Sequence, residues 1–220
     1  MKKGIINDLK AIKERETRKH LLEYILKEKR EIKRIKETNK ELGETNNNLL
    51  KKIGLDSLTK IYSRRKLKED LEKFIEKESI ENYILNAIMI DIDDFKSYND
   101  QYGHIEGDNL LEKTAGYLKR ILREEEQKNL YRYGGEEFTI LIPRLTLETT
   151  VNLAERLKKG VEENCERTIS LGIANYPANT KSIKDIISSA DNALYCAKQN
   201  GKNRVETYSK GISYKEVIKE

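Results

Sequence analysis

Three groups of carboxylates are spaced so that they could hold a divalent cation: Asp91-Ile92-Asp93-Asp94, Gly107-Asp108, and Glu136-Glu137 directly after Gly134-Gly135. Magnesium takes oxygen ligands in an octahedron, commonly one or two carboxylates with water and substrate phosphates completing the shell. An acidic residue at the end of an apolar strand, beside another on a neighbouring hairpin, supplies such a set. The glycine pair lets the chain reverse tightly and lets a large substrate approach the main chain. Strand alternation predicts that Glu136 and Glu137 point to opposite faces, so they need not share a role. Acidic residues near a hairpin also describe an ordinary solvated turn, so this spacing by itself leaves both readings open.

The elements that would position these groups can be read from periodicity. Tyr83 to Ile92 is a short apolar run with little polar alternation, as expected of a buried strand. Leu130–Tyr133 and Phe138–Ile142 flank Gly134-Gly135, which predicts a hairpin with a two-residue turn at the glycines. Helices are predicted over Arg65–Lys77, Asp108–Leu122, Leu147–Val161 and Ile183–Gln199, the last stopped by Asn200-Gly201. Arg167–Ala174 and Arg204–Tyr208 read as further strands. Strands and helices thus alternate around a central hairpin, an α+β pattern with helices packed on a sheet.

The first 54 residues differ from the rest. They carry 16 Lys+Arg against 9 Asp+Glu, so the chain's net charge of +5 resides there and the remainder is slightly acidic. From Leu21 a spacing of alternating four and three residues selects Leu21, Ile25, Glu28, Ile32, Ile35, Asn39, Leu42, Asn46, Leu49 and Ile53. A 3.5-residue repeat of this length predicts a coiled coil, with Ile25, Ile32, Asn39, Asn46 and Ile53 at a. Ile at a with Leu mostly at d favours a parallel dimer, and Asn at a sets register and strand number. Before Leu21 only Ile5, Leu9 and Ile12 keep an apolar stripe, and Gly54 is placed to end or bend the helix. The basic excess reads as the solvated flank of that helix, because aromatic and base-reading residues are absent, so no nucleic-acid partner is expected. The longest uncharged apolar run, Asn82–Ile90, is far short of the ~20 residues that span a bilayer, and no secretory h-region is present. Cys165 and Cys196 have no metal-ligand spacing and read as reduced thiols of a cytoplasmic protein.

The string Arg132-Tyr133-Gly134-Gly135-Glu136-Glu137-Phe138 resembles the signature hairpin of the GGDEF family, in its GGEEF form. Asp56-Ser57-Leu58-Thr59 with Ser63-Arg64-Arg65 is similar to the family's opening segment. Asp91-Ile92-Asp93, Phe95-Lys96, Asn99-Asp100, Gly103-His104 and Gly107-Asp108 match its second block. Ser170–Ala174 matches a late strand, and Asp191, Ala193, Leu194, Tyr195, Ala197, Lys198, Gly201 and Asn203 match the closing block. The likeness runs over roughly residues 55 to 208. It implies a palm-like, nucleotidyl-cyclase-type domain over 55–220: a central, mostly antiparallel sheet flanked by helices, preceded by the dimerisation helix of residues 1–54.

The resemblance also implies a diguanylate cyclase, a nucleotidyltransferase that condenses two GTP into cyclic di-GMP across a dimer of half-sites. Asp91, the Ile92 carbonyl, Glu136 and Glu137 would hold two Mg²⁺ per half-site, with Mn²⁺ an alternative. Glu137 would in addition activate the ribose 3′-hydroxyl. Asn99 and Asp108 would read guanine, since a carboxylate can accept from both N1–H and the 2-amino group. Lys198 and Lys202 would meet the triphosphate, and backbone amides around Asp94, Phe95 and Lys96 would form its binding turn. Relatives often have Arg at the Lys202 position and Asn at the Ser63 position. The inhibitory RxxD motif of many relatives falls here on Glu125 and Lys128, with charges reversed; Arg123 and Glu126 form a similar pair two residues out of register. Product feedback through that motif is therefore not expected, and residues 1–20 either extend the helix or dock on a partner that gates the enzyme. A GGDEF domain that binds GTP without catalysis is the alternative, but none of the signature carboxylates or guanine contacts is lost.

Overall fold

The computed structural model describes residues 2–209. The last residues assigned to the domain by sequence, 210–220, lie outside the described residues, as do the side chains of Ile5, Leu9 and Ile12. The chain divides into two compact units, 1–49 and 50–220. The first unit is helical, formed by most of helix α1 (Lys2–Ile53). Among its heptad positions Leu21, Ile25, Ile32, Ile35, Leu42, Leu49 and Ile53 are each 41–62% exposed, an aliphatic stripe along one helix. The helix ends where expected. Gly54 adopts φ +83°, and the Leu55 amide donates back to the Leu50 carbonyl at 2.9 Å, the left-handed glycine stop that few side chains tolerate.

The second unit is built on a six-stranded sheet: β1 (Tyr62–Ser63), β2 (Leu85–Ile92), β3 (Leu130–Gly134), β4 (Glu137–Pro143), β5 (Ile169–Tyr176) and β6 (Val205–Thr207), in the order β1-β3-β4-β2-β5-β6. The three central pairings are antiparallel and the two outer ones parallel, so the sheet is mostly antiparallel as expected. Helices α2 (Arg64–Ile75), α3 (Phe95–Tyr102), α4 (His104–Ile121), α5 (Glu124–Gln127), α6 (Leu147–Asn164) and α7 (Ile186–Gln199) complete it, with a 3₁₀ turn at Ile183–Asp185 before α7.

Alternation along β2 sends its side chains into two cores. Ile88, Ile90 and Ile92 join residues of α4 and α6, such as Leu110, Leu118 and Leu157. Leu85, Ala87 and Met89 join residues of α2 and α7, such as Leu67, Ala190 and Leu194. Both faces are buried, which is why the β2 sequence shows no polar alternation. Asp91 has the parity of Met89 and therefore opens on the α7 side.

Three readings are corrected. The hairpin turn is Gly135-Glu136, not Gly134-Gly135: Gly134 stays in β3 opposite Glu137, after a register shift following Arg132. Glu136 thus lies in the turn, and strand alternation does not set its direction. Residues 95–102, read only as a phosphate-binding turn at their start, form α3. The long helix predicted from Ile183 is interrupted, its first turn being 3₁₀.

Candidate active site

Asp91 and Glu137 are direct cross-strand partners on β2 and β4. Glu137 shares parity with Thr139 and Leu141, and Leu141 belongs to the α7-side core, so both carboxylates open on the same face. Like charges directly opposite one another in a sheet are destabilising. Asp91 is also almost fully buried. Burial, with repulsion from Glu136 and Glu137, pushes its pKa up to about 6 despite the opposing effect of Lys198. Burial likewise raises Glu137, reinforced by Asp191 and offset by Lys198 and Arg64. The Asp91–Glu137 pair offers surplus negative charge and hard oxygen donors of the kind a divalent cation takes, although among the described residues no three Asp, Glu, His or Cys side chains come together as a ready-made metal site.

The turn is fastened from two sides. The Ile92 amide donates to the Glu136 carbonyl at 3.4 Å, bringing the Ile92 main chain beside the turn. The Arg132 guanidinium donates to the Gly135 carbonyl from Nε and Nη2 at 3.0 and 2.8 Å, and from Nη1 to Asp56 Oδ1 at 3.0 Å. Asp56 Oδ1 in turn accepts from the Thr59 amide and hydroxyl, both at 2.8 Å. The segment before β1 therefore braces the hairpin tip.

Lys198 and Lys202 come from α7 and the loop after it. Lys198 Nζ lies 2.7 Å from Asp91 Oδ2, and Lys202 Nζ lies 2.6 Å from Asp94 Oδ1. Helix α7 can press so closely because β5 carries Gly172, where a Cβ would sit 2.1 Å from the Leu194 nitrogen. Asp94 takes a left-handed conformation (φ 57°) at the N-cap position of α3 without a capping hydrogen bond from its side chain, and the first helix amides, at Phe95 and Lys96, have no partner within the helix. Such backbone strain is costly for a non-glycine residue and clusters at functional sites.

Asn99 leaves α3 against α4. Its Oδ1 is buried without a hydrogen-bond partner, and a Cβ on Gly107 would fall 1.8 Å from it. Gly107 therefore makes room for the Asn99 amide next to Asp108, whose side chain is exposed. A buried unpaired acceptor beside an exposed carboxylate is a site poised for a ligand with hydrogen-bond donors.

Asp91, Glu136, Glu137, Lys198 and the start of α3 thus lie at one end of the central strands β2 and β4, while the structure gives no direct contact between Asn99 or Asp108 and the carboxylate pair. Sequence reasoning missed three contributors. Asp93 is buried and accepts from Ser170 Oγ (2.6 Å), Thr168 Oγ1 (2.7 Å) and the Asn203 amide (3.1 Å), fixing the end of β2. Arg64, stacked on the Tyr133 ring at 4.3 Å, and Asp191 both act electrostatically on Glu137. The blocks holding Asp93, Arg64 and Asp191 were visible, but nothing in their spacing gave these roles. Glu126, one half of the out-of-register pair, has its carboxylate engaged by the Arg123 amide at 2.8 Å.

The family model for the diguanylate cyclase GGDEF domain matches residues 53–204. The chain belongs to the GGDEF family. Among curated relatives, uncharacterized protein YhcK of Bacillus subtilis is 37% identical over 177 residues, covering 74% of this chain and 49% of its own. Diguanylate cyclase A of Treponema denticola is 42% identical over 129 residues, 55% of this chain and 34% of that protein. This GGDEF chain thus spans half or less of the length of these relatives. A solved structure, the active GGEEF domain of a diguanylate cyclase from Vibrio cholerae, is 33% identical with a TM-score of 0.59, covering 68% of this chain and 98% of that one. No helix among the described residues is long and apolar enough to cross a membrane.

Proposed function

We propose that this GGDEF domain is a catalytically competent, divalent-cation-dependent diguanylate cyclase. The observation that carries the reading is the direct pairing of Asp91 with Glu137 on one face, with Glu136 in the adjoining turn. In this reading Asp91, Glu136, Glu137 and the Ile92 carbonyl hold the metal. Bound Mg²⁺ would supply charge neutralisation and Lewis-acid polarisation of the α-phosphorus. Lys198, Lys202 and the amides at the start of α3, from Asp94 through Phe95 to Lys96, bind the triphosphate. Asn99 and Asp108 select guanine. Glu137, whose proton affinity is raised by burial, accepts the proton of the attacking 3′-hydroxyl.

Each half-site holds one GTP, so two must face each other. The 3′-oxygen of one nucleotide then bonds to the α-phosphorus of the other, and the bond to the departing pyrophosphate breaks. Repetition in the opposite sense closes the ring. The aliphatic stripe of α1 would supply the pairing, as a parallel coiled coil that raises the effective concentration of one half-site near the other. A cytoplasmic location, with its GTP, suits this chemistry, and a partner acting on the N-terminal segment could regulate it. Incubation of the purified chain with GTP and Mg²⁺, followed by mass identification of the product, tests the reading. Unchanged GTP under these conditions would leave the domain a nucleotide-binding module.

A further inference from the structure

Lys198 lies among the carboxylates rather than apart from them. Its ammonium is 2.7 Å from Asp91 Oδ2, and it also acts on Glu137 and Asp191. The two partners differ in freedom: the Asp91 side chain is 7% exposed and that of Lys198 36%. A short, buried carboxylate has little room to reach a new partner, whereas a lysine carries its charge on a flexible four-carbon stem. The helix beneath that stem is fixed, because Gly172 brings β5 against the α7 backbone. The ammonium can therefore travel while its Cα stays in place.

The Asp91 oxygen that accepts from Lys198 is also a donor that a divalent ion would need. Two cations cannot share it at full strength, since each is repelled by the other. Lys202 repeats the arrangement one step outward, with Nζ 2.6 Å from Asp94 Oδ1, but there both side chains are well exposed, at 41% and 54%. Solvent screens that pair and makes it weak.

We infer that Lys198 is the internal counter-cation of Asp91, competing with a divalent ion for the carboxylate and yielding it only when a phosphate group takes the ammonium. This rests on the diguanylate cyclase reading above and extends it to the order of assembly. Free metal binds weakly because it must displace the ammonium. Metal and triphosphate together bind well because the ammonium exchanges one anion for another. The device would keep a nucleotide-free domain from trapping a metal ion in a geometry unsuited to GTP.

The test titrates the full chain with Mn²⁺, reading free Mn²⁺ by electron paramagnetic resonance, with and without a non-hydrolysable GTP analogue. Lys198→Met should tighten Mn²⁺ binding to the nucleotide-free protein on the order of tenfold, the scale of one lost charge-assisted hydrogen bond. The same variant should bind the analogue more weakly. Lys202→Met removes an equal charge and should move Mn²⁺ affinity markedly less. Lys198→Gln serves in its place if the Met variant does not fold, with thermal melting as the check. Mn²⁺ binding by the Lys198 variants no tighter than wild type, or a Lys202→Met effect of equal size, overturns the inference. Failure of the wild type to take up Mn²⁺ even with the analogue overturns the diguanylate cyclase reading itself, and this inference with it.

Discussion

Arg132 and Asp56, 76 positions apart, form a 3.0 Å ion pair whose guanidinium also holds the Gly135 carbonyl. Both side chains are mostly buried, at 17% and 22% exposure, so the pair is shielded from solvent more than a surface bridge. Arg132→Ala would leave Asp56 short of a partner and release the turn that carries Glu136. The expected cost is about 2 kcal/mol of stability, with a larger proportional loss of turnover. Arg132→Lys keeps the charge but cannot reach both oxygens, so it should rescue stability better than activity. A double-mutant cycle with Asp56→Ala should return a coupling of about 1 kcal/mol. Additive effects would show that the pair does not brace the turn. Burial raises the Asp56 carboxyl, but Thr59 and Arg132 outweigh it and hold it below the usual range. Its stabilisation is therefore present above the ordinary Asp pKa and is lost as pH falls through the lowered value.

Asp91 has the opposite sign. Its pKa rises from 3.8 to about 6, so the folded state binds its proton more tightly than the unfolded chain does. Stability from this group is fully present below pH 3.8 and is lost as pH rises through about 6. Asp91→Asn should thus abolish turnover yet raise stability at neutral pH, by up to roughly 3 kcal/mol, less whatever the Lys198 pair contributes. Denaturant melts in chelator at several pH values check this. The gain should vanish near pH 4, and a gain independent of pH would refute the assignment.

Glu137→Gln should cut the rate strongly with a smaller change in GTP affinity, because the amide cannot take the hydroxyl proton. Glu136→Ala should remove turnover by losing a metal ligand while the fold stays intact, since its side chain is in a turn. Steady-state kinetics with circular dichroism on both variants decide the matter. A Glu136→Ala enzyme keeping a tenth or more of the wild-type rate would remove that residue from the metal site.

Gly107→Ala adds one methyl group that would overlap Asn99 Oδ1, at 1.8 Å. Alanine favours the helix more than glycine by about 1 kcal/mol, so the protein should be no less stable. Asn99, however, must swing away from Asp108. Affinity for GTP should fall by 1–3 kcal/mol, the scale of an unsatisfied polar partner. Asp108→Ser should relax the preference for GTP over ATP by a similar amount. Side-by-side kinetics with the two nucleotides measure both effects; unchanged GTP affinity in Gly107→Ala, or unchanged selectivity in Asp108→Ser, would place guanine recognition elsewhere.

Much of this site could be read before any coordinates, because the residues that do chemistry travel in short blocks. The apolar Asn82–Ile90 run announced β2 since both its faces are buried, and Asp91 stands at its end. Periodicity failed where segments were short or polar. The two residues of β1 are too few for a pattern, and the α3 sequence Phe95–Tyr102 is polar with an aspartate cap in a left-handed conformation. The glycine pair points to a turn one residue too early, because Gly134 stays paired with Glu137. The shifted turn leaves Glu136 outside the strands, while the β2–β4 register places Asp91 and Glu137 on a shared face. Arg64 and Asp191 approach Glu137 only through packing of α2 and α7, which no local spacing records.

The final prediction concerns α1, where the reasoning is independent of nucleotide chemistry. Leu21, Ile25, Ile32, Ile35, Leu42 and Leu49 are exposed along a single helix of 52 residues, more apolar surface than a lone helix keeps in water. A second copy at the same heptad positions would cover it, with Asn39 and Asn46 holding the register. Truncation should begin at Leu50, because the Leu50 carbonyl accepts from the Leu55 amide and the Gly54 carbonyl from the Ser63 amide at 2.8 Å. A chain starting there should fold as a monomer with a complete half-site but no tethered partner. Its rate should vary as roughly the square of protein concentration, whereas the full chain should vary linearly. Asn39→Ile with Asn46→Ile should raise coil stability while loosening the preference for two strands. Light scattering on all three proteins, beside activity on dilution, measures each point. A monomeric full chain with linear, undiminished activity would mean that α1 does not pair with a second copy.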